Sequence, residues 1–308
     1  MREEFEPAAA SEKDRKGGLS RRSLLIGGAV GAASIFLPTA GAFAAPDYSV
    51  IPKLPYEVSR MDTQVSSSGK KKYEVIDILF SGDTTRLFVP HTAKLGKQAT
   101  ALTFVWFYHA FGSTYTAISS AYKWSAMLAV DKGWVSVCPN YGGDQWVNAK
   151  AIWLQGEISR YINSYFNVKA SYMRANSGGG SLMSYAYGKR YIPSPKGMYL
   201  ANATYDMEDL YARDPARVGP AYGGDVTKVV ATNPAKLYAP SAWAGTRIRA
   251  VVSAADVVVP PAQHGEALVK AASPFAAETS LVWHAGGHTV PASADSDCIS
   301  TFARWQSA

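Results

Sequence analysis

The sequence predicts an α/β fold in which a mainly parallel central sheet carries helices on both faces. Short apolar runs alternate along the chain with segments of helical spacing, and strands separated by helices are joined by right-handed crossovers. In addition, Leu102–Tyr108 is an uninterrupted apolar and aromatic run, as expected for a strand buried on both faces. The 308 residues carry a net charge of +7, which weakly favours anionic surroundings.

The first elements follow an extended lead-in over residues 45–72. Two strands, Tyr73–Phe80 and Arg86–Val89, flank a turn at Ser81-Gly82-Asp83 and predict an antiparallel hairpin at one edge of the sheet. The remaining predicted elements, in chain order, are strand Leu102–Tyr108, helix Thr116–Val130, strand Trp134–Val137, helix Asn148–Tyr165, strand Tyr172–Ala175, helix Gly180–Gly188, strand Met198–Ala203, strand Ile248–Ser253, helix Ala262–Ala271, strand Ser280–His284 and helix Ser296–Trp305.

One interval, residues 204–246, has no strong strand and is rich in Ala, Pro, Asp and Tyr. Long connections inside compact domains are often functional lids, so the interval is either a small cap or an ordinary crossover with a helix at Asp225–Ala231. Residues 73–308, this interval included, are predicted to form one domain.

Residues 1–44 have the pattern of a signal peptide. The charged start ends in Arg21-Arg22, the stretch Ser23–Ala44 contains no charged residue, and it closes on Ala42-Phe43-Ala44. A charged start, an apolar middle and small residues at the cleavage site predict export, and the paired arginines indicate the twin-arginine machinery. We therefore expect a secreted or extracytoplasmic protein without a stable membrane anchor after cleavage; a retained anchor is the alternative.

Other classes of partner find little support. No dense basic stretch occurs beyond Lys70-Lys71-Lys72, so no nucleic-acid partner is expected. The sequence has no cluster of metal-ligand spacing and no cofactor motif, so we expect neither a metal nor a cofactor. Cys138 and Cys298 are too few for a disulfide scaffold, and the sequence leaves open whether they pair.

Ser177 is the predicted nucleophile. It lies in Ala175-Asn176-Ser177-Gly178-Gly179-Gly180, between a predicted strand and a predicted helix. A nucleophile elbow needs small residues two positions before and two after the serine, because the tight turn brings them against backbone. Ala175 and Gly179 meet that need. Ser181 also follows glycines, but its frame places Met183 at the second small position.

The loop His109-Ala110-Phe111-Gly112 follows the buried strand Leu102–Tyr108, upstream of the elbow. A tetrahedral intermediate carries a negative oxygen that needs two preorganised donors. The amide of Gly178 is one predicted donor and that of Phe111 the other, with Ala110 as the substitute. His109 is interpreted as a histidine that shapes the loop, because the chain order favours a later base.

The remaining catalytic residues follow predicted strands near the end of the chain. Asp256 comes just after Ile248–Ser253 and can reach a histidine on a neighbouring loop. Two glycines precede His288 and predict a turn past the last strand, whereas His284 competes for the role of base but lacks that turn. The chain order Ser177, Asp256, His288 is the one found in folds whose nucleophile lies on a turn between a strand and a helix.

These segments resemble the α/β-hydrolase superfamily over nearly all of residues 73–308. The branch that the chain is most similar to comprises secreted esterases, namely polyhydroxybutyrate depolymerase-like and feruloyl esterase-like proteins and, more distantly, cutinase-like ones. The matching segments are Arg86–Pro90, His109–Gly112, Ser177–Gly180, Asp256–Pro260 and Gly287-His288. Ala110 and Ala175 depart from the family pattern, which has glycine at both positions.

The resemblance implies that Ser177 attacks an ester carbonyl, that His288 moves the proton, and that Asp256 orients the histidine. The substrate is then a small-molecule or polymeric ester. Four aromatic residues in predicted loops are candidates for a substrate pocket: Tyr115, Tyr141, Trp146 and Tyr205. A serine peptidase or acyltransferase on the same fold, and a catalytically inactive binding protein, are the alternatives.

Overall fold

The computed structural model describes residues 50–308, and the predicted signal peptide lies outside that range. Within it, ten strands form a single sheet. The strands are β1 (Glu57–Arg60), β2 (Gln64–Val65), β3 (Lys72–Phe80), β4 (Asp83–Pro90), β5 (Leu102–Tyr108), β6 (Val135–Pro139), β7 (Val168–Asn176), β8 (Pro195–Ala201), β9 (Arg247–Ser253) and β10 (Glu278–His284).

Nine α-helices accompany the sheet in the described range. They are α1 (Lys123–Asp131), α2 (Ala149–Tyr165), α3 (Gly179–Gly188), α4 (Met207–Arg213), α5 (Pro215–Val218), α6 (Val226–Thr232), α7 (Pro234–Leu237), α8 (Gly265–Ala272) and α9 (Ala294–Ser307). Single 3-10 turns occur at Tyr115–Ser119, Gly219–Tyr222, Pro240–Trp243 and Pro261–Gln263. None of these helices is long and apolar enough to cross a membrane.

The sheet runs in the order β1-β3-β4-β6-β5-β7-β8-β9-β10, with β2 paired to β3. Across the sheet, the neighbouring strands β6, β5, β7, β8, β9 and β10 pair parallel with one another. At the other edge, β1, β2, β3 and β4 pair antiparallel, and β4 is antiparallel to β6. The predicted parallel sheet with an antiparallel edge is confirmed. The segment predicted as an extended lead-in contributes β1 and β2 to that edge.

Side chains on β5 alternate between the two faces of the sheet, as the pleat requires. Phe104, Trp106 and Tyr108 belong to one core cluster, whereas Val105 and Phe107 belong to the other. The first cluster includes residues of α2, α3 and α8, and the second includes residues of α1 and α9. Helices therefore cover both faces, which explains why β5 is apolar throughout.

The predicted helix Thr116–Val130 is wrong as a single element. The chain forms a 3-10 turn at Tyr115–Ser119, departs from helical geometry at Ser120, and resumes as α1 at Lys123. Ala117 and Ile118 are buried like the apolar residues of α1, so apolar spacing could not reveal the break. As a result, the Tyr122 side chain is directed toward the sheet.

The interval 204–246 connects β8 to β9 through α4, α5, α6, α7 and two 3-10 turns, with no strand. Several of its apolar side chains join the core under the sheet, among them Met207, Leu210 and Trp243. The interval is therefore a helical crossover, and its α5 region also borders the site described below. Cys138 and Cys298 are free buried thiols rather than a disulfide, and burial raises the pKa of both.

Candidate active site

Ser177 lies at the sharp turn between β7 and α3. Its φ of +45° is in the left-handed region, and its amide donates to the Ala201 carbonyl at 3.2 Å. A β-carbon added at Gly179 would overlap the Tyr108 carbonyl oxygen, and one at Gly180 would overlap that of Thr204. The glycines are thus needed because α3 begins in close contact with the ends of β5 and β8. This contact holds Ser177 at the carboxyl end of β7.

Ser177, His288 and Asp256 form a continuous hydrogen-bonded series. The Ser177 Oγ lies 2.9 Å from His288 Nε2, and His288 Nδ1 lies 2.8 Å from Asp256 Oδ2. A carboxylate accepts, so Nδ1 carries the proton and the Nε2 lone pair faces the serine hydroxyl. The structure brings together all three residues that the sequence predicted.

Asp256 is buried, and its second oxygen is also occupied. Oδ1 accepts from the amides of Val258 at 2.9 Å and Val259 at 2.8 Å. Two amide donors to one oxygen fix the orientation of the carboxylate. Asp256 is therefore held as an acceptor for His288 by the turn that follows it.

Ser181, the competing serine, lies within α3 and is fully buried. Its hydroxyl donates to the Gly178 carbonyl at 3.3 Å rather than facing a histidine. The competing histidine, His284, lies at the end of β10 with its Nε2 3.1 Å from Asn202 Oδ1. Neither residue is part of the series that contains Ser177.

Two backbone amides border the serine. A β-carbon built on Gly178 would lie 3.1 Å from the Phe111 nitrogen, so the two amides are neighbours. Within residues 50–308, neither amide donates a hydrogen bond to another protein group. The proximity of the Phe111 nitrogen to Gly178 favours Phe111 over Ala110 as the second donor of an oxyanion hole.

The loop that carries Phe111 is held from two sides. His109 Nε2 lies 2.9 Å from the Asn140 carbonyl oxygen, in agreement with a role in shaping the loop. On the other side the Gly112 amide donates to Asp144 Oδ1 at 2.6 Å. Sequence reasoning missed Asp144, because this contact joins loops that follow different strands and no local pattern marks it.

A small pocket opens beside the two amides. It is lined by Tyr108, His109, Ala110, Phe111, Tyr141, Gly143, Asp144, Trp146, Gly178, Gly179 and Leu182. The Phe111 ring stacks on Trp146, with centroids 5.2 Å apart, and the Arg217 guanidinium of α5 lies 5.7 Å from the Phe111 centroid. Tyr141 and Trp146 therefore lie where the sequence predicted them.

The other two predicted pocket residues lie outside this pocket. Tyr115 is in the 3-10 turn that packs beneath Arg86, whose guanidinium lies 5.3 Å from its ring centroid. Tyr205 is buried against Trp243, because the chain turns back into the core after β8. Arg217, which does border the pocket wall, had no signal in the sequence.

Tyr122 joins the turn that carries Ser177 to the end of β5, which precedes the Phe111 loop. Its hydroxyl donates to the Tyr108 carbonyl at 2.6 Å and accepts from the Asn176 amide at 3.0 Å. Burial raises its pKa, so it remains protonated and able to donate. The buried Arg174 lies 5.1 Å from its ring centroid. The phenol thus links the strand ends that precede Phe111 and Ser177.

His264 ties the loop after β8 to the start of α8. It is fully buried, and its Nδ1 accepts from the amides of Tyr205 at 3.0 Å and Asp206 at 3.1 Å. Burial lowers its pKa to about 4, although Asp209, with Oδ2 3.4 Å from Nε2, acts in the opposite direction. His264 is therefore a neutral structural residue. No group of three metal-ligating side chains occurs in the described part of the chain.

No protein-family model and no curated protein matches the chain. Solved structures do match it. S-formylglutathione hydrolase from Agrobacterium tumefaciens is 12% identical, with a TM-score of 0.61 over 81% of this chain and 99% of that one. Acetyl xylan esterase 1 from Thermoanaerobacterium sp. JW/SL YS485 is 12% identical, with a TM-score of 0.55 over 80% of this chain and 89% of that one.

Prolyl endopeptidases are 13% identical, with a TM-score of 0.57 over 83% of this chain and 47% of theirs. The chain spans only 38% to 47% of the longer proteins that it matches. At such low identity the likeness establishes the architecture. Together with the strand order and the strand-serine-helix turn, it shows that the chain has the α/β-hydrolase fold that the sequence predicted.

Proposed function

We propose that this protein is a serine hydrolase that cleaves carboxylic esters, with Ser177 as the nucleophile. The observation that carries the proposal is the series from Ser177 Oγ through His288 to Asp256, with distances of 2.9 and 2.8 Å. It lies beside the amides of Gly178 and Phe111, which donate to no group among the described residues. A nucleophile, an oriented base and two free donors together are the requirements for acyl transfer.

In the first half-reaction the Ser177 Oγ attacks the ester carbonyl carbon while its proton passes to His288 Nε2. The carbonyl oxygen becomes an oxyanion and accepts hydrogen bonds from Gly178 and Phe111. Asp256 stabilises the imidazolium that forms. Collapse of the tetrahedral intermediate breaks the bond to the alcohol oxygen, which takes the proton from Nε2 and leaves.

In the second half-reaction water replaces the alcohol. His288 Nε2 accepts one proton of the water as its oxygen attacks the acyl carbon, and the oxyanion again forms between the two amides. The bond to Ser177 Oγ then breaks and the serine recovers the proton. The acid is released, and Ser177 and His288 return to their starting protonation states.

Two considerations support an ester rather than a peptide substrate. The chain is similar to a protein named acetyl xylan esterase and to one named S-formylglutathione hydrolase, over 89% and 99% of those chains. The prolyl endopeptidases are matched over only 47% of their length. A serine peptidase is therefore the second candidate, and its cleavage would use the same residues on an amide.

A panel of p-nitrophenyl esters and peptide anilides distinguishes the two, and a fluorophosphonate probe tests the nucleophile. We expect ester hydrolysis, and labelling of Ser177 that Ser177→Ala abolishes with a rate loss on the order of a thousandfold or more. Ser181→Ala serves as the control and should still label. Cleavage of anilides but not esters would favour the peptidase, and folded protein that never labels would favour an inactive binding protein.

We also propose that the protein is exported by the twin-arginine route. The support is the pair Arg21-Arg22 followed by the uncharged stretch Ser23–Ala44. Changing both arginines to lysine should retain precursor in the cytoplasm, as fractionation would detect. Unchanged secretion would instead indicate the general secretory route.

A further inference from the structure

The loop that carries His288 is largely exposed, so burial contributes little to fixing its position. Gly286 and Gly287 precede the histidine, Gly287 has a φ of +63°, and Ala285, Gly286 and Thr289 are exposed. Such a segment has considerable conformational freedom, and its position must come from hydrogen bonds. The Ser253 Oγ supplies one by accepting from the Gly287 amide at 3.1 Å.

Asn202 supplies two more hydrogen bonds, to the residues immediately before and after His288. Its Nδ2 donates to the Gly287 carbonyl at 2.9 Å and to the Thr289 carbonyl at 2.7 Å. These carbonyls belong to the residues on either side of His288. One buried amide group, 4% exposed, therefore anchors both flanks of the residue that transfers the proton.

His284 orients Asn202. The Gly286 amide donates to His284 Nδ1 at 3.1 Å, so the ring proton lies on Nε2, which donates to Asn202 Oδ1 at 3.1 Å. The opposite orientation of the Asn202 amide would direct Oδ1 at two carbonyl oxygens. His284 therefore selects the orientation in which Asn202 donates to the loop.

The backbone at Asn202 points to the same role. Its φ is +42°, a conformation in which asparagine is among the less strained residues, and its amide donates to the Val251 carbonyl at 2.9 Å. This turn at the end of β8 directs the side chain across the end of β9 toward the loop after β10. Three strand ends are thus joined through one side chain.

We propose that Asn202 and His284 are positioning residues that hold His288 in line between Asp256 and Ser177. The inference rests on the proposed function, in which His288 is the base. A misplacement of about 1 Å in a reacting group can cost on the order of 100-fold in rate. Loss of the Asn202 side chain should therefore slow catalysis without altering substrate binding.

Asn202→Gly is the decisive variant, because glycine accepts the positive φ and removes only the side chain. We expect kcat for p-nitrophenyl acetate and the rate of fluorophosphonate labelling to fall on the order of 100-fold, with KM within about threefold. Lys70→Gly is the matched control, since Lys70 is exposed, has a φ of 54° and lies in the connection between β2 and β3. It should retain wild-type kinetics.

Two further variants test the direction of the hydrogen bonds. Asn202→Asp keeps an acceptor for His284 but removes both donors, so it should be at least as slow as Asn202→Gly. His284→Ala removes the group that orients Asn202 and should cost about fivefold to tenfold, as expected for one hydrogen bond of about 1 kcal/mol. An Asn202→Asp protein with wild-type kcat would overturn the proposal.

A spectroscopic readout separates this inference from the proposed function. The proton between His288 Nδ1 and Asp256 should give a far-downfield proton NMR signal in the wild type, whatever the substrate. Asn202→Gly should broaden or remove that signal in protein that circular dichroism shows to be folded, whereas Lys70→Gly should leave the signal intact. An intact signal with kcat within threefold of wild type overturns the positioning role. Wild-type protein that gives the signal but neither labels nor hydrolyses esters overturns the proposed function alone.

Discussion

Gly178→Ala tests the assignment of the two oxyanion amides. Gly178 has a φ of −53°, which alanine adopts freely, so the substitution does not strain the backbone at that residue. The added methyl group would instead lie 2.9 Å from Trp146 Cζ3 and 3.1 Å from the Phe111 nitrogen. Both neighbours must move by a few tenths of an ångström, and one of them is the proposed second donor to the oxyanion.

Complete loss of one oxyanion donor costs about 100- to 1000-fold in kcat, so a displaced donor should cost on the order of 10- to 100-fold. Steady-state kinetics with p-nitrophenyl acetate would measure this, with circular dichroism to verify folding. Gly156→Ala in α2 is the matched control, because a β-carbon there has no neighbour within 4 Å, and it should raise stability by up to ~1 kcal/mol. If Gly178→Ala retained kcat within twofold of wild type, Phe111 would not be the second donor.

Three other variants have defined outcomes. Ser177→Gly should be inactive yet more stable to urea than Ser177→Ala by about 1 kcal/mol, because only glycine relieves the positive φ; equal stability would contradict this. Tyr122→Phe leaves two buried backbone groups unpaired and should lower the free energy of unfolding by about 2 kcal/mol, together with kcat; an unchanged urea midpoint would contradict it. The unfolded His264 titrates near 6.5 and the folded one near 4, so the unfolded chain binds more protons between these values. Stability should be lost as pH falls from 6.5 toward 4, and urea titrations of His264→Gln should show a shallower loss.

The sequence was a good guide to what depends on local pattern and chain order. Leu102–Tyr108 was predicted with its exact bounds because it is apolar on both faces. Ser177, Asp256 and His288 each lie just after a strand of the parallel part of the sheet. Parallel strands bring their carboxyl ends to one edge, so the order along the chain was sufficient.

What could not be predicted depends on the direction of side chains across the fold. Tyr115 and Tyr205 occupy predicted loops near strand ends, yet the first packs beneath Arg86 and the second joins the core. Asn202 lies 85 residues from Gly287 in sequence and Tyr122 lies 54 residues from Asn176, so these contacts depend on the fold. The predicted strand Met198–Ala203 included Asn202, whereas β8 ends at Ala201, so no sequence pattern marked Asn202 as the residue that turns out of the strand.

The stacked Phe111 side chain and the Phe111 amide have separate roles. In the proposed mechanism the amide donates to the oxyanion, whereas the ring is 42% exposed and lines the pocket with Trp146, next to the Arg217 guanidinium. Every residue except proline offers the same amide, so position 111 can change its side chain without losing its donor. In the proposed mechanism, substitution of Phe111 therefore changes the wall of the pocket while the amide donor stays in place.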